Sequence, residues 1–243
     1  MAPSLIGDNY SKDLSRLPLS PGGSSVSNIF YALIEDDTLL RITEHTYAFG
    51  DYQFYAVVER LGSYDRNFFH EEVQRLRTDE KQTDEQIIEH LLSMNMEDSI
   101  FTKVIGRFAY QDYTFTERDG SCVVGKQIKG AFLEPDSAGQ RIAGIVYTQL
   151  IKEYDYLICD NSQTVYGAIL WAFTMRLIGR VDIYDSVKQE FVEELGEKGT
   201  GVNGFIAWDI GSLLPKNLGR WTPYPYDPDN GSCYHIVHVI SVY

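Results

Sequence analysis

Residues Lys129 to Asp185 read KGAFLEPDSAGQRIAGIVYTQLIKEYDYLICDNSQTVYGAILWAFTMRLIGRVDIYD, and their patterning decides the fold. An apolar run, Ala131-Phe132-Leu133, is closed by Glu134-Pro135. The small-residue turn Ser137-Ala138-Gly139 follows, and then Ile142, Ile145, Val146 and Leu150 recur at helical spacing. A second apolar run, Tyr156 to Cys159, ends at Asp160-Asn161 and leads into a second helical segment. Val181 to Tyr184 alternates as a strand does. The order is strand, turn, helix, strand, helix, strand.

The first strand-to-helix turn carries the chemical interest. A strand ending in small residues and feeding a helix exposes main-chain N–H groups beside the positive end of the helix dipole. Such a turn suits an anion, above all a diphosphate. Ser137 and Gln140 stand at capping-box spacing, and Ala138 and Gly139 keep side chains out of a ligand's way.

LEPDSAGQRIAGIVYTQL resembles the acyl-CoA-binding segment of the GNAT (Gcn5-related N-acetyltransferase) superfamily, which uses Q/R-x-x-G-x-G/A to hold the CoA pyrophosphate. Ala138, Gly139, Gln140, Arg141, Ile142, Ala143 and Gly144 fall on that motif, with Arg141 where a glycine is usual and Ala138 where an arginine is usual. LICDNSQTVYGAILWAFTMRLIGRVDIYD is similar to the family's fifth strand, fourth helix and sixth strand, and LICDNSQTVYGAILW also resembles GNAT-like proteins of bacteriophages. The resemblance implies an α/β fold with a mixed, mostly antiparallel central sheet that splays between its fourth and fifth strands and is flanked by helices. It further implies acetyl-CoA as acyl donor, its pantetheine arm lying along Phe132, Leu133 and Glu134. Glu134 is the candidate base, and Asn161, with Ser162 and Gln163, opens the next helix beside the arm or simply caps it. The family's acid is a tyrosine in A-x-x-(F/L)-Y; here Ala168-Ile169-Leu170-Trp171 puts Trp171 in its place, and an indole N–H is no acid of suitable strength. Tyr166, more than a turn earlier, is the substitute.

The remainder of the chain is read around this core. Residues 1–28 are rich in Ser, Pro and Gly and read as a flexible arm, with 29–243 a single domain. Ile29 to Thr46 reads as an added hairpin turning at Asp36-Asp37, and Gln53 to Glu59 as the first core strand. Phe68, Phe69, Val73 and Leu76 mark one helix, and Ile87, Ile88, Leu91 and Leu92 a second, begun by Thr83 and Gln86 as a capping box. Two helices after the first strand are what the resemblance requires. Residues 100–133 read as an antiparallel meander with a tight turn at Asp119-Gly120, delivering the fourth strand to the phosphate turn. Residues 187–204 read as partly helical and then glycine-rich, 204–214 as a strand and short turn, and 233–243 as a closing strand.

Composition narrows the function classes. The 243 residues carry a formal charge of −14, which disfavours a nucleic-acid substrate, since phosphate backbones are held by cations that release counterions. Acidity reads as plain solubility, or as a surface for a protein partner together with the many tyrosines. No apolar run approaches the roughly 20 residues of a membrane span, and the N-terminus has no signal-peptide core. Cys122, Cys159 and Cys233 are odd in number and widely spaced, as expected of reduced thiols in a cytoplasmic protein. His235 and His238 point to opposite faces of a strand, and His45, His70 and His90 lack companions, so no metal site is expected. The loop WTPYPYD, Trp221 to Asp227, reads as a lip over a cleft or a partner surface. Two functions follow: an acyl-CoA-dependent N-acyltransferase acting on a small-molecule or protein amine, or a catalytically inactive acidic interaction protein on the same fold, such as a phage inhibitor of a host system.

Overall fold

A computed structural model describes residues 4–6, 14, 23–47, 52–65, 67–137, 141–197, 199–208 and 236–242. Ala138, Gly139, Gln140, the 221–227 loop, Cys233, His235 and most of the expected arm lie outside the described residues. The chain is mixed α/β, with a large, mostly antiparallel open sheet flanked by helices. Its strands run in the order β10 (Glu190–Glu194), β9 (Arg180–Asp185), β11 (Ile236–Ser241), β7 (Tyr156–Ile158), β6 (Cys122–Leu133), β5 (Lys103–Thr116), β4 (Phe54–Arg60), β3 (Leu39–Tyr47), β2 (Ser24–Leu33). By internal contacts it divides into two compact units, one of residues 1–13, 110–130 and 147–243 and the other of 14–109 and 131–146.

In the second unit, β2, β3 and β4 form the expected hairpin and its antiparallel neighbour. The hairpin turns at Asp37, which adopts φ 63°, a conformation Asp tolerates. Its buried carboxylate accepts from Arg77 and Gln74 of α1 (Phe68–Thr78), tying turn to helix. A bulge between Val26 and Asn28 sets Ser27 Oγ (2.5 Å) and Asn28 Nδ2 (3.1 Å) on the fully buried Glu44 carboxylate. Phe69, Val73 and Leu76 of α1 and Ile87 and Leu91 of α2 (Asp84–Ser93) pack with Leu39 and Leu61, the stripes expected from spacing. The capping box is present: Thr83 N donates to Gln86 Oε1 at 2.9 Å and Gln86 N to Thr83 Oγ1 at 3.4 Å. Thr83→Ala should therefore cost about 1 kcal/mol in denaturant unfolding, and an unchanged midpoint would show the cap contributes nothing.

In the first unit, β11 comes last in sequence yet pairs antiparallel with both β7 and β9. Ile236 to Ile240 are all buried, as a strand covered on both faces requires. A helical segment spans residues 165–178: α4 (Val165–Ile169), a π turn (Leu170–Met175) and α5 (Arg176–Ile178).

Several expectations are corrected. Ser162–Thr164 is a short strand, β8, paired parallel with β1 (Ser4–Ile6), so Thr164 rather than Asn161 or Ser162 caps α4, accepting from Gly167 N at 3.1 Å. Part of the supposed arm is thus strand: β1, and the start of β2 at Ser24. Residues 186–194 form a hairpin rather than a helix. Asp185 Oδ1 accepts from Val187 N and Lys188 N to close the turn, and Phe191 packs edge-on against Tyr184 and Phe115. Lys103–Thr116 is one unbroken strand, so counting from β4 the strand that leads to Ser137 is the third, not the fourth. Residues 204–208 carry no strand.

Candidate functional site

β6 ends in Ala131, which is exposed, and Phe132 and Leu133, which are half-buried. Phe132 packs beside Tyr55, Val57 and Ala109, with the Arg107 guanidinium 6.0 Å from its ring centroid. Leu133 lies over Gly106, where an added Cβ would stand 2.6 Å from Leu133 Cδ2. Glu134 N donates to Ile105 O at 2.9 Å, and Ser137 N donates to Glu134 O at 2.8 Å as the chain turns through Pro135–Ser137.

Beyond the undescribed 138–140, Arg141 has φ 56° and its carbonyl accepts from Ile145 N at 3.1 Å, so it stands at the threshold of α3 (Ile142–Tyr154). Its exposed guanidinium pairs with Glu35 at 2.6 Å, a surface pair of little energetic weight. Ile142 and Gly144 are buried, and Ala143 is half-buried.

β6 and β7 are parallel and share two paired positions, Lys126 with Leu157 and Gln127 with Ile158. They can approach because Gly125 has no side chain: a Cβ there would lie 2.7 Å from Tyr156 Cβ and 2.9 Å from its carbonyl oxygen. Past this pair, side chains take over. Gln127 Nε2 donates to Cys159 O at 3.2 Å and to Asn161 Oδ1 at 2.8 Å, and Lys129 pairs with Asp160 at 3.1 Å. Asn161 is thus brought beside Gln127, which engages its carboxamide oxygen. Tyr166 projects from α4 with 68% of its surface exposed, whereas Trp171 is buried against Tyr147 and His238, each 6.3 Å between ring centroids.

Glu134 also lines a cleft of about 470 Å³ with Arg60, Lys103, Val104, Ile105, Asp136 and Ser137. Residue spacing pointed to Glu134 but not to Arg60 or Lys103. They sit at the end of β4 and the start of β5, and only the pairing of those strands brings them beside the end of β6.

A second polar group is buried in the first unit. His238 is fully buried, its ring centroid 4.2 Å from that of Trp208 with the planes inclined by 46°, and neither ring nitrogen makes a full hydrogen bond. Burial pushes its pKa down to about 3, with the Ala207 main chain partly opposing the shift. The neighbouring Cys159 thiol accepts from His238 N at 3.1 Å, and burial raises it well above its ordinary value, so it is held as an inert thiol. Among the described residues no cluster of His, Cys, Asp and Glu could hold a metal ion, and no helix is long and apolar enough to cross a membrane. Comparison with protein-family models, with curated proteins and with solved structures finds no match to this chain.

Proposed function

We propose that this chain is an acyl-CoA-dependent N-acyltransferase of GNAT type, moving an acetyl group from acetyl-CoA to an amine. One observation carries the reading: β6 and β7 are parallel neighbours joined by α3 and share two paired positions, Lys126 with Leu157 and Gln127 with Ile158, after which β7 ends and β6 runs on to Leu133. Past those positions Gln127 and Lys129 are tied to Cys159 O and Asp160, and β6 continues through the exposed Ala131 and the half-buried Phe132 and Leu133, the stretch along which an extended arm would lie. Bound acetyl-CoA would supply the thioester. Main chain at Phe132 and Leu133 would orient the arm, the Glu134 main chain being already engaged by Ile105 and Ser137, and the start of α3 at Arg141 to Gly144 would meet its phosphates. Glu134 takes the proton from the attacking amine, directly or through water, as the new C–N bond forms and the C–S bond breaks. A thiol of ordinary pKa, about 8.5, leaves readily as thiolate near neutrality, so water suffices to return the proton.

A second reading, a catalytically inactive interaction protein, is favoured by Trp171, which is core where the family's acid would stand, and by the −14 charge. Unfolding with and without acetyl-CoA separates the two. At a hundred times its dissociation constant the ligand should stabilise the fold by about 2.7 kcal/mol. An unfolding curve indifferent to millimolar acetyl-CoA would leave the second reading standing and remove the first.

A further inference from the structure

The cleft beside Glu134 holds charges of both signs that do not neutralise one another. Lys103 is exposed at the start of β5, Glu134 is half-buried and Asp136 is exposed, and none of the three makes an ion pair among the described residues. Arg60 adds a second cation to the same wall. Elsewhere charges find each other readily: Arg41 with Glu59 and Glu97, Arg77 with Asp37 and Asp84, Arg118 and Arg180 with Asp182. Lys103 faces the same cleft as Glu134 and Asp136 without pairing with either, an arrangement suited to a molecule that carries both charges. The volume, about 470 Å³, falls in the range of small-molecule pockets, roughly 300–1,000 Å³.

From this geometry we infer that the cleft seats the acyl acceptor, and that the acceptor is a small amine that also bears a carboxylate. The inference rests on the acyltransferase reading. The acceptor's carboxylate is held by the Lys103 ammonium, a point charge. Its ammonium is drawn to Glu134 and Asp136, and Glu134 is the group that then removes the proton from nitrogen. Global charge makes the claim discriminating. A chain at −14 favours a plain amine or diamine over an amino carboxylate at long range, so preference for the carboxylate has to come from Lys103.

The test titrates the full chain calorimetrically with three matched pairs differing only by a carboxylate: β-alanine and ethylamine, 4-aminobutyrate and propylamine, L-lysine and 1,5-diaminopentane. At least one amino carboxylate should bind tenfold or more tightly than its partner amine. Lys103→Met, with an unchanged unfolding midpoint because the residue is exposed, should erase most of that margin and leave the plain amine's affinity as it was. Equal binding within every pair, tighter binding of the amines, no binding by any compound, or a margin that survives Lys103→Met each overturns the inference. Product analysis by mass spectrometry with acetyl-CoA present keeps the two claims apart. An amino carboxylate that binds but is never acetylated sinks the acyltransferase reading and leaves the cleft's chemistry intact. Acetylation of the plain amines as fast as of their carboxylate partners sinks the cleft inference alone.

Discussion

Acidification from pH 7 to pH 4.5 should cost the fold about 2–3 kcal/mol through His238 alone. The folded-state pKa of about 3 lies below the ordinary value of 6.5, because a wholly buried imidazole with no full hydrogen bond cannot take a charge cheaply. Below pH 6.5 the unfolded chain binds a proton there that the folded chain refuses. Stability is therefore fully present above pH 6.5 and declines by up to about 1.4 kcal/mol per pH unit as the pH falls toward 3. His238→Leu isolates this contribution from that of the carboxylates. It replaces the imidazole between Trp171 and Trp208 with an apolar group of comparable size, a change expected to be nearly neutral or stabilising at pH 7. Urea unfolding of both proteins between pH 7 and pH 4.5 gives the comparison. The variant should show a slope shallower by about one proton, and parallel pH profiles would mean His238 is protonated in the folded protein or reaches solvent.

What the sequence discloses about this chain follows the range of the interactions concerned. The capping box at Thr83 and Gln86, the α1 and α2 stripes and the turns at Asp37 and Gly120 depend on residues within a few positions of each other, and all are where local patterning puts them. β8 was not legible, because Ser162–Thr164 becomes a strand only by pairing with Ser4–Ile6 at the other end of the chain. Phe191 illustrates a tertiary override: its local spacing suits a helix, but the Tyr184 and Phe115 rings capture it in a hairpin. The site divides the same way. Glu134 and Asn161 are candidates that come from reading along one segment, whereas Arg60 and Lys103 become neighbours of Glu134 through the pairing of strand ends, which residue order does not specify. His238 reads as one more sheet residue until Trp208 and Trp171 close over it.

Gly125→Val should destabilise the protein by about 3 kcal/mol or more, and Gly167→Ala should stabilise it by about 0.5–1 kcal/mol. The two glycines differ in what surrounds them. At Gly125 a Cβ would lie 2.6 Å from Ile158 Cδ1, 2.7 Å from Tyr156 Cβ and 2.9 Å from the Tyr156 carbonyl oxygen. Ile158 can move its terminal carbon, but Tyr156 belongs to the β7 backbone, so a β-branched side chain forces the strands apart where they hold only two paired positions. At Gly167 the nearest atoms are Thr164 Oγ1 at 3.4 Å and Gln163 Cβ at 3.9 Å, ordinary contacts, and a helix gains from losing a glycine. Denaturant midpoints of the three proteins test the pair of effects, and equal midpoints for Gly125→Val and the parent would mean β7 tolerates displacement. The same variant bears on function. If an acyl donor docks where β6 leaves β7, Gly125→Val examined at a temperature where it remains folded should lose most of the stabilisation conferred by acetyl-CoA, while Gly167→Ala keeps it. Full retention in Gly125→Val would place the donor away from the end of β7, because an arm docked beside the β6–β7 pairing cannot be indifferent to the residue that sets how closely the two strands meet.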